Sequence, residues 1–170
     1  MIQIYTGDGK GKTTAALGLA LRAAGHGQWT YIGQFLKGRT TGEIEAAAKL
    51  SPFLKIELFG RKGFITITDE ADEEDRGLAL NGLRKCREAM FSGFYRIVVL
   101  DEVLVAVRFG ILKESEILEF LDRKPEGVEI VLTGRDATPA LIDRADLVTE
   151  MVERKHYSAR GIRARDGIEK

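Results

Sequence analysis

The first 24 residues constrain this chain more than any other feature. Residues 2–6 alternate apolar and polar side chains as a strand does. A glycine-rich turn, Gly7-Asp8-Gly9-Lys10-Gly11-Lys12, follows, and residues 13–24 repeat Ala16, Leu17, Ala20, Leu21 and Ala24 at helical spacing. A strand, a glycine turn, Gly-Lys-Thr and a helix, in that order, make a phosphate-binding loop. Phosphate oxygens need many donors in a small volume. Glycines at 7, 9 and 11 let successive backbone N–H groups point inward without β-carbon clashes, and the unpaired N–H groups and dipole of the helix start complete the cradle. Lys12 is expected against the phosphates, and Thr13 offers a hydroxyl to a Mg²⁺ that offsets their charge. A flexible glycine turn with no ligand is the plain alternative.

The spacing departs from the common pattern. A glycine usually stands five residues before the Gly-Lys pair, and here that position is Thr6. Counted from Gly7 the loop is one residue short, and Lys10 is a second lysine that a generic loop does not require. Such a loop still binds a polyphosphate, with altered register, so nucleotide binding is a firmer expectation than nucleotide hydrolysis.

Beyond the loop, short β-branched or aromatic runs alternate with helical patterns, the layout of an α/β sandwich with a mainly parallel sheet. Strands are expected at 29–35, 55–59, 97–100, 129–133 and 147–152, with a short helix over 43–50. Residues 60–68 read as a loop. Acids cluster at Asp69, Glu70, Asp72, Glu73, Glu74 and Asp75, where a helix running to about Phe91 begins; carboxylates there favour the positive end of its dipole. Asp101 and Glu102 follow the apolar strand 97–100 directly, at the carboxyl edge where open parallel sheets bind ligands. Two acids paired with an upstream Gly-Lys-Thr point to a metal role, with Thr13, Asp101 and Glu102 as the ligand set. An N-cap for the following helix would explain one of them.

Composition removes several other classes. The 170 residues are the size of one domain, with a polar, basic tail from about 153 to 170. The 26 Lys+Arg balance 26 Asp+Glu, so there is no global positive field for nucleic acid or an anionic membrane. One cysteine, Cys86, and two histidines, His26 and His156, leave no disulfide and no cysteine-based zinc site. No basic region followed by an apolar stretch opens the chain and no spanning segment appears, so a cytoplasmic protein is expected.

With these residues placed, the chain closely resembles the ATP:corrinoid adenosyltransferases nearly end to end. The resemblance is carried by Tyr5-Thr-Gly-Asp-Gly-Lys-Gly-Lys-Thr-Thr14, Gln34-Phe-Leu-Lys-Gly38, Gly42-Glu43, Val98-Val-Leu-Asp-Glu102, Leu132-Thr-Gly-Arg135, Ala145-Asp-Leu-Val-Thr-Glu150, Lys155-His156 and Gly167-Ile-Glu169. It implies a RecA-like P-loop fold and a homodimer. It also implies transfer of the 5′-deoxyadenosyl group of ATP to the Co(I) centre of a corrinoid (cobalamin, cobinamide or cobyrinic acid a,c-diamide), with triphosphate leaving in one piece. Mg²⁺ or Mn²⁺ and a flavoprotein reductant are implied partners, and ATP is implied to lie in the loop reversed relative to ordinary P-loop enzymes.

Co(I) is already a strong nucleophile, so this chemistry asks the protein for charge stabilisation and an in-line approach rather than for a Ser, Cys or His nucleophile. Lys10, Lys12 and Glu102 are the expected catalytic residues. Thr6, Gly7, Asp8, Gly9, Lys10, Gly11, Lys12, Thr13, Thr14, Lys37, Glu43, Phe64 and Arg135 are the expected contacts to nucleotide or corrinoid. Surface roles are the alternatives for Lys37, Glu43 and Arg135, a structural cap for His156, and a solvated end for the tail. The family's Gly-Phe-Thr-Trp segment reads Gly63-Phe64-Ile65-Thr66 here, keeping Phe64 and replacing the tryptophan. A P-loop ATPase or small-molecule kinase is the rival enzyme reading; a non-catalytic nucleotide-binding module or nucleic-acid motor subunit is the second.

Overall fold

The computed structural model describes residues 1–61 and 73–169. The chain runs β1 (Ile2–Thr6), α1 (Lys12–Gly25), β2 (Trp29–Phe35), α2 (Gly42–Lys49), β3 (Leu54–Phe59), α3 (Glu73–Phe91), β4 (Tyr95–Asp101), α4 (Val103–Arg108), α5 (Glu114–Asp122), β5 (Glu129–Thr133), α6 (Pro139–Arg144), β6 (Leu147–Glu150) and a 3₁₀ turn, Tyr157–Arg160. The strands form one six-stranded sheet in the order β3-β2-β4-β5-β1-β6, and every pairing is parallel. This is the expected α/β architecture.

Side-chain alternation in the sheet decides which helices cover each face. Val98, Leu100, Ile130 and Leu132 point to one side and meet α3 to α6 through Leu83, Met90, Leu104, Phe120 and Leu141. Ile97, Val99 and Val131 point to the other and meet Ala16, Ala20 and Ala23 of α1. Alanines on that stripe let α1 lie close to the sheet, which fixes the loop at its amino end. Both faces of β4 and β5 are therefore covered, which is why these strands read as continuous apolar runs.

Register places the site. Tyr5 lies beside Thr133, Leu100 beside Leu132, and Gln34 beside Asp101, so β1, β5, β4 and β2 end on one level. Because β5 separates β1 from β4, its terminal Thr133 falls between the glycine loop and the acid pair. The non-glycine residues with positive φ among those described are Leu36 (58°), Glu102 (61°) and Asp136 (55°), all just beyond the carboxyl ends of β2, β4 and β5. Left-handed backbone is costly for such residues and collects where side chains are aimed for function.

Some details differ from the sequence reading. The last strand stops at Glu150 because the chain is then carried onto the glycine loop: Met151 N–H donates to Thr6 O (2.8 Å), and Met151 O accepts from Gly9 N–H (2.7 Å). Helices α4 and α6 span six residues each, too short to print a periodic pattern. In the acidic cluster, Asp75 pairs with Arg61 at 2.9 Å within the first turn of α3, whereas Asp69, Glu70 and Asp72 lie outside the described residues. So does the stretch Gly63-Phe64-Ile65-Thr66. Among the described residues, no helix is long and apolar enough to cross a membrane.

Candidate active site

The loop between β1 and α1 needs its first glycines for a reason the sequence did not suggest. A β-carbon on Gly7 would stand 2.4 Å from Met151 O, and one on Gly9 would stand 2.7 Å from the same atom. These glycines admit the backbone that follows β6, and Gly9 N–H is committed to that backbone rather than to a ligand. Lys12 is 6% exposed and donates to Gly7 O (2.7 Å) and Gly9 O (2.8 Å), so its ammonium lies across the loop. Burial lowers its pKa from the ordinary lysine value, partly offset by Glu102.

Asp101, 2% exposed, is the hub beneath the loop. Its Oδ1 accepts from Thr13 Oγ1 (2.9 Å) and Thr133 Oγ1 (2.7 Å), and its Oδ2 accepts from Gln34 Nε2 (3.0 Å). The N-cap alternative for Asp101 is excluded. The residue belongs to β4, and the cap position of α4 is Glu102, with no side-chain cap bond. Thr133 Oγ1 also accepts from Glu102 N–H (2.8 Å), so β5 is tied to the Glu102 backbone as well as to the Asp101 carboxylate.

The Glu102 carboxylate has no hydrogen-bond partner among the described residues and faces the cavity. Burial raises its pKa above the ordinary glutamate value, and Asp101 raises it further, against the opposing pull of Lys12, Arg135 and Lys37. A desolvated carboxylate without a partner is the mark of a group awaiting a cation. On the far wall Lys37 pairs with Glu43 (2.5 Å); burial works against the Glu43 charge, but Lys37 and Thr41 together hold its pKa low.

The resulting cavity, about 550 Å³, is lined by residues 8–14, Leu17, Lys37, Gly42, Glu43, Glu102 and Arg135, and by Glu153, His156, Ser158 and residues 167–169 of the tail. Most of the expected contacts thus converge on one cavity. Thr6 and Gly7 do not line it: Thr6 is buried, its Oγ1 accepting from Ala137 N–H (3.3 Å). Arg135 reaches Asp8 at 3.5 Å across the mouth. His156 caps the 3₁₀ turn, its Nδ1 accepting from Ser158 N–H (3.0 Å). Phe64 lies outside the described residues.

The donor set suits a small hard cation. Thr13 and Glu102 present a hydroxyl and a carboxylate, whereas Asp101 is engaged by protein donors and is placed to orient Thr13. Among the described residues no cluster of three or more His, Cys, Asp or Glu could hold a metal by itself, so a cation at Thr13 and Glu102 would need further ligands from outside the protein.

A family model described as ATP:corrinoid adenosyltransferase BtuR/CobO/CobP matches residues 1–169. The chain belongs to this family. It is 37% identical over 172 residues to the corrinoid adenosyltransferase of Sinorhizobium sp, covering 99% of this chain and 79% of that protein. It is 32% identical to that of Pseudomonas aeruginosa, covering 99% and 83%. It is 31% identical to the corrinoid adenosyltransferase CobA of Salmonella typhimurium, covering 99% and 85%. The KaiC-like protein PH0186 of Pyrococcus horikoshii OT3 has a TM-score of 0.59 at 18% identity, over 88% of this chain and 71% of that one; it shares the RecA-like P-loop fold.

As a corrinoid adenosyltransferase, the protein is a transferase that takes ATP as co-substrate and adenosylates a corrinoid in cobalamin biosynthesis. Sequence reasoning found the loop and the acid pair but gave no role to Gln34 or Thr133, the residues that hold Asp101. Gln34 stood inside a family segment, and Thr133 closed a strand, yet neither carries a charge or a motif that announces its partner. Met151 gave no signal at all, since it acts through its backbone.

Proposed function

We propose that the loop cavity holds the triphosphate of ATP so that C5′, and not a phosphorus atom, is presented to the cobalt of the corrinoid substrate. Co(I) supplies the electron pair for the new Co–C5′ bond, and the C5′–O bond breaks with its electrons to release intact triphosphate. The cobalt passes formally from Co(I) to Co(III). No proton moves in the bond-making step, so no general base is required.

The protein's task is then electrostatic. Lys12 lies within the loop where negative charge grows on the leaving triphosphate, and the first residues of α1 line the same volume. Arg135 adds a cation at the mouth. Thr13 and Glu102 would hold Mg²⁺ or Mn²⁺, which when bound neutralises part of the triphosphate charge. Asp101 positions Thr13 from beneath, and Lys37 with Glu43 forms the wall facing the nucleoside or corrin. The observation that carries this reading is the Glu102 carboxylate, without a hydrogen-bond partner among the described residues, lining one cavity with Lys12 and Thr13. A flavoprotein as electron donor, a homodimer as working form and a cytoplasmic location complete the proposal.

The test incubates the protein with ATP, divalent metal and chemically reduced cobalamin or cobinamide. Expected products are the light-sensitive cobalt–carbon species and one triphosphate per adenosyl group. ADP and inorganic phosphate as the sole products, with Co(I) present, would overturn the reading.

A further inference from the structure

Lys10 is the loop's unexplained residue. An ammonium has three N–H donors. All those of Lys10 have acceptors in the tail: Tyr157 Oη (3.1 Å), Ile168 O (3.2 Å) and Glu169 Oε1 (3.1 Å). None is left over for a phosphate. We propose that Lys10 is a positioning residue that ties the tail, residues 157–169, into the ATP site as one of its walls; this rests on the cavity being the nucleotide site.

The tail is held by a polar knot. Glu169 Oε1 accepts from Lys10, from Tyr157 OH and from Arg165 Nη2 (3.1 Å), while Oε2 accepts from Arg165 N–H (2.9 Å) and Nε (3.3 Å). The Tyr157 ring sits under two cations, Arg165 at 4.9 Å and Lys10 at 5.8 Å. The knot leaves the Glu169 side chain 16% exposed, although the segments around it are largely open to solvent and offer little apolar burial. Charge-assisted contacts therefore carry the attachment, and Lys10 is their link to the loop.

The wall is part of the cavity. His156, Ser158, Ile168 and Glu169 line the same volume as Lys12 and Glu102. That volume, about 550 Å³ with the tail in place, falls in the range of small-molecule sites. The Glu169 charge does not repel a triphosphate because Lys10 and Arg165 together outweigh it. Its carboxyl is held far below the usual range, by Arg165 first and Tyr157 next, and the Lys10 ammonium is raised by Tyr157 and Glu169, so the ion pair persists at neutral pH.

The experiment titrates Mg²⁺ and ATP into the full chain by calorimetry, comparing wild type, Glu169→Gln, Lys10→Met and the double variant, with hydrogen exchange followed over residues 157–169. Each single variant is expected to weaken ATP binding by about tenfold, with the loss seen in KM for ATP and not in KM for the corrinoid. Tail exchange rises in each. The double variant is expected to bind no worse than the weaker single, and Lys10→Glu combined with Glu169→Lys to recover part of the loss. Unchanged or tighter ATP binding by Glu169→Gln would overturn the inference, as would losses that multiply in the double variant, which place Lys10 on the phosphates by itself. Failure of the wild type to bind ATP would instead bring down the functional reading beneath it.

Discussion

The sheet has a cleft at each end. At the carboxyl ends of the strands lies the cavity of about 550 Å³ bounded by the glycine loop, Glu102 and the tail. At the amino ends lies one of about 630 Å³ lined by Trp29, Phe91, Phe94 and Tyr95 with Pro125 and Val128. Phe94 stacks on Trp29 with centroids 5.9 Å apart, and Tyr95 meets the same indole edge-on at 6.2 Å. The two clefts are of similar size, but the aromatic walls of the second pack on one another. The loop cleft holds a lysine pushed down and a glutamate pushed up, side by side. Volume does not mark the site; uncompensated charge does.

That contrast is open to attack by mutation. Lys12→Ala should have the largest effect, a loss of adenosyl transfer of at least about a hundredfold, because the charge opposite the departing triphosphate is gone. Steady-state rates with reduced cobalamin check this, and near-normal turnover would remove Lys12 from the mechanism. Glu102→Gln should lower activity by about ten- to a hundredfold and weaken the dependence on Mg²⁺ concentration.

The same variant tests the electrostatics. In the folded protein the Glu102 carboxyl has a raised pKa, so between its unfolded and folded values the folded state holds a proton that the unfolded state has released. Stability associated with this group is present at low pH and lost as pH rises through that window. Glu102→Gln should therefore melt higher than wild type at pH 7, by about a few degrees, with the gap closing near pH 4. Activity that needs the ionised form should fall on the acid side at a higher pH than an ordinary carboxylate gives, and the variant should lose that limb. Equal melting temperatures at pH 7 would argue against a desolvated charge.

Smaller effects come from beneath the site. Gln34→Ala removes one of the donors to Asp101 and should reduce activity about fivefold, mainly through metal affinity, as outer-shell losses do. Smallest of all is Phe94→Ala in the opposite cleft: activity within about twofold of wild type, and a stability loss of about 1 kcal/mol from the broken stack. A severe activity loss there would reverse the comparison between the two clefts.

The readable part of the protein was local. Gly-Lys-Thr follows its strand directly and opens its helix directly, so its chemistry could be placed without knowing the fold. Asp101 and Glu102 were legible for a similar reason, since a continuous apolar run carries them to a sheet edge. Gln34 and Thr133 could not be read as Asp101's partners, because that meeting depends on strand order and register between segments 67 and 32 residues away. A second reason for Gly7 and Gly9 was hidden on the same account: Met151, far along the chain, packs on them.

Sequence alone determined the strands, the first three helices, the phosphate loop and the family, because each is written in residue types at short spacing. Tertiary structure alone decided that Asp101 orients Thr13, that Glu102 is left facing the cavity, and that Lys10 turns to Glu169 across 159 residues of chain. Helix and strand patterns report on neighbours a few residues apart. A hydrogen bond between distant segments exists only once the sheet has set their register.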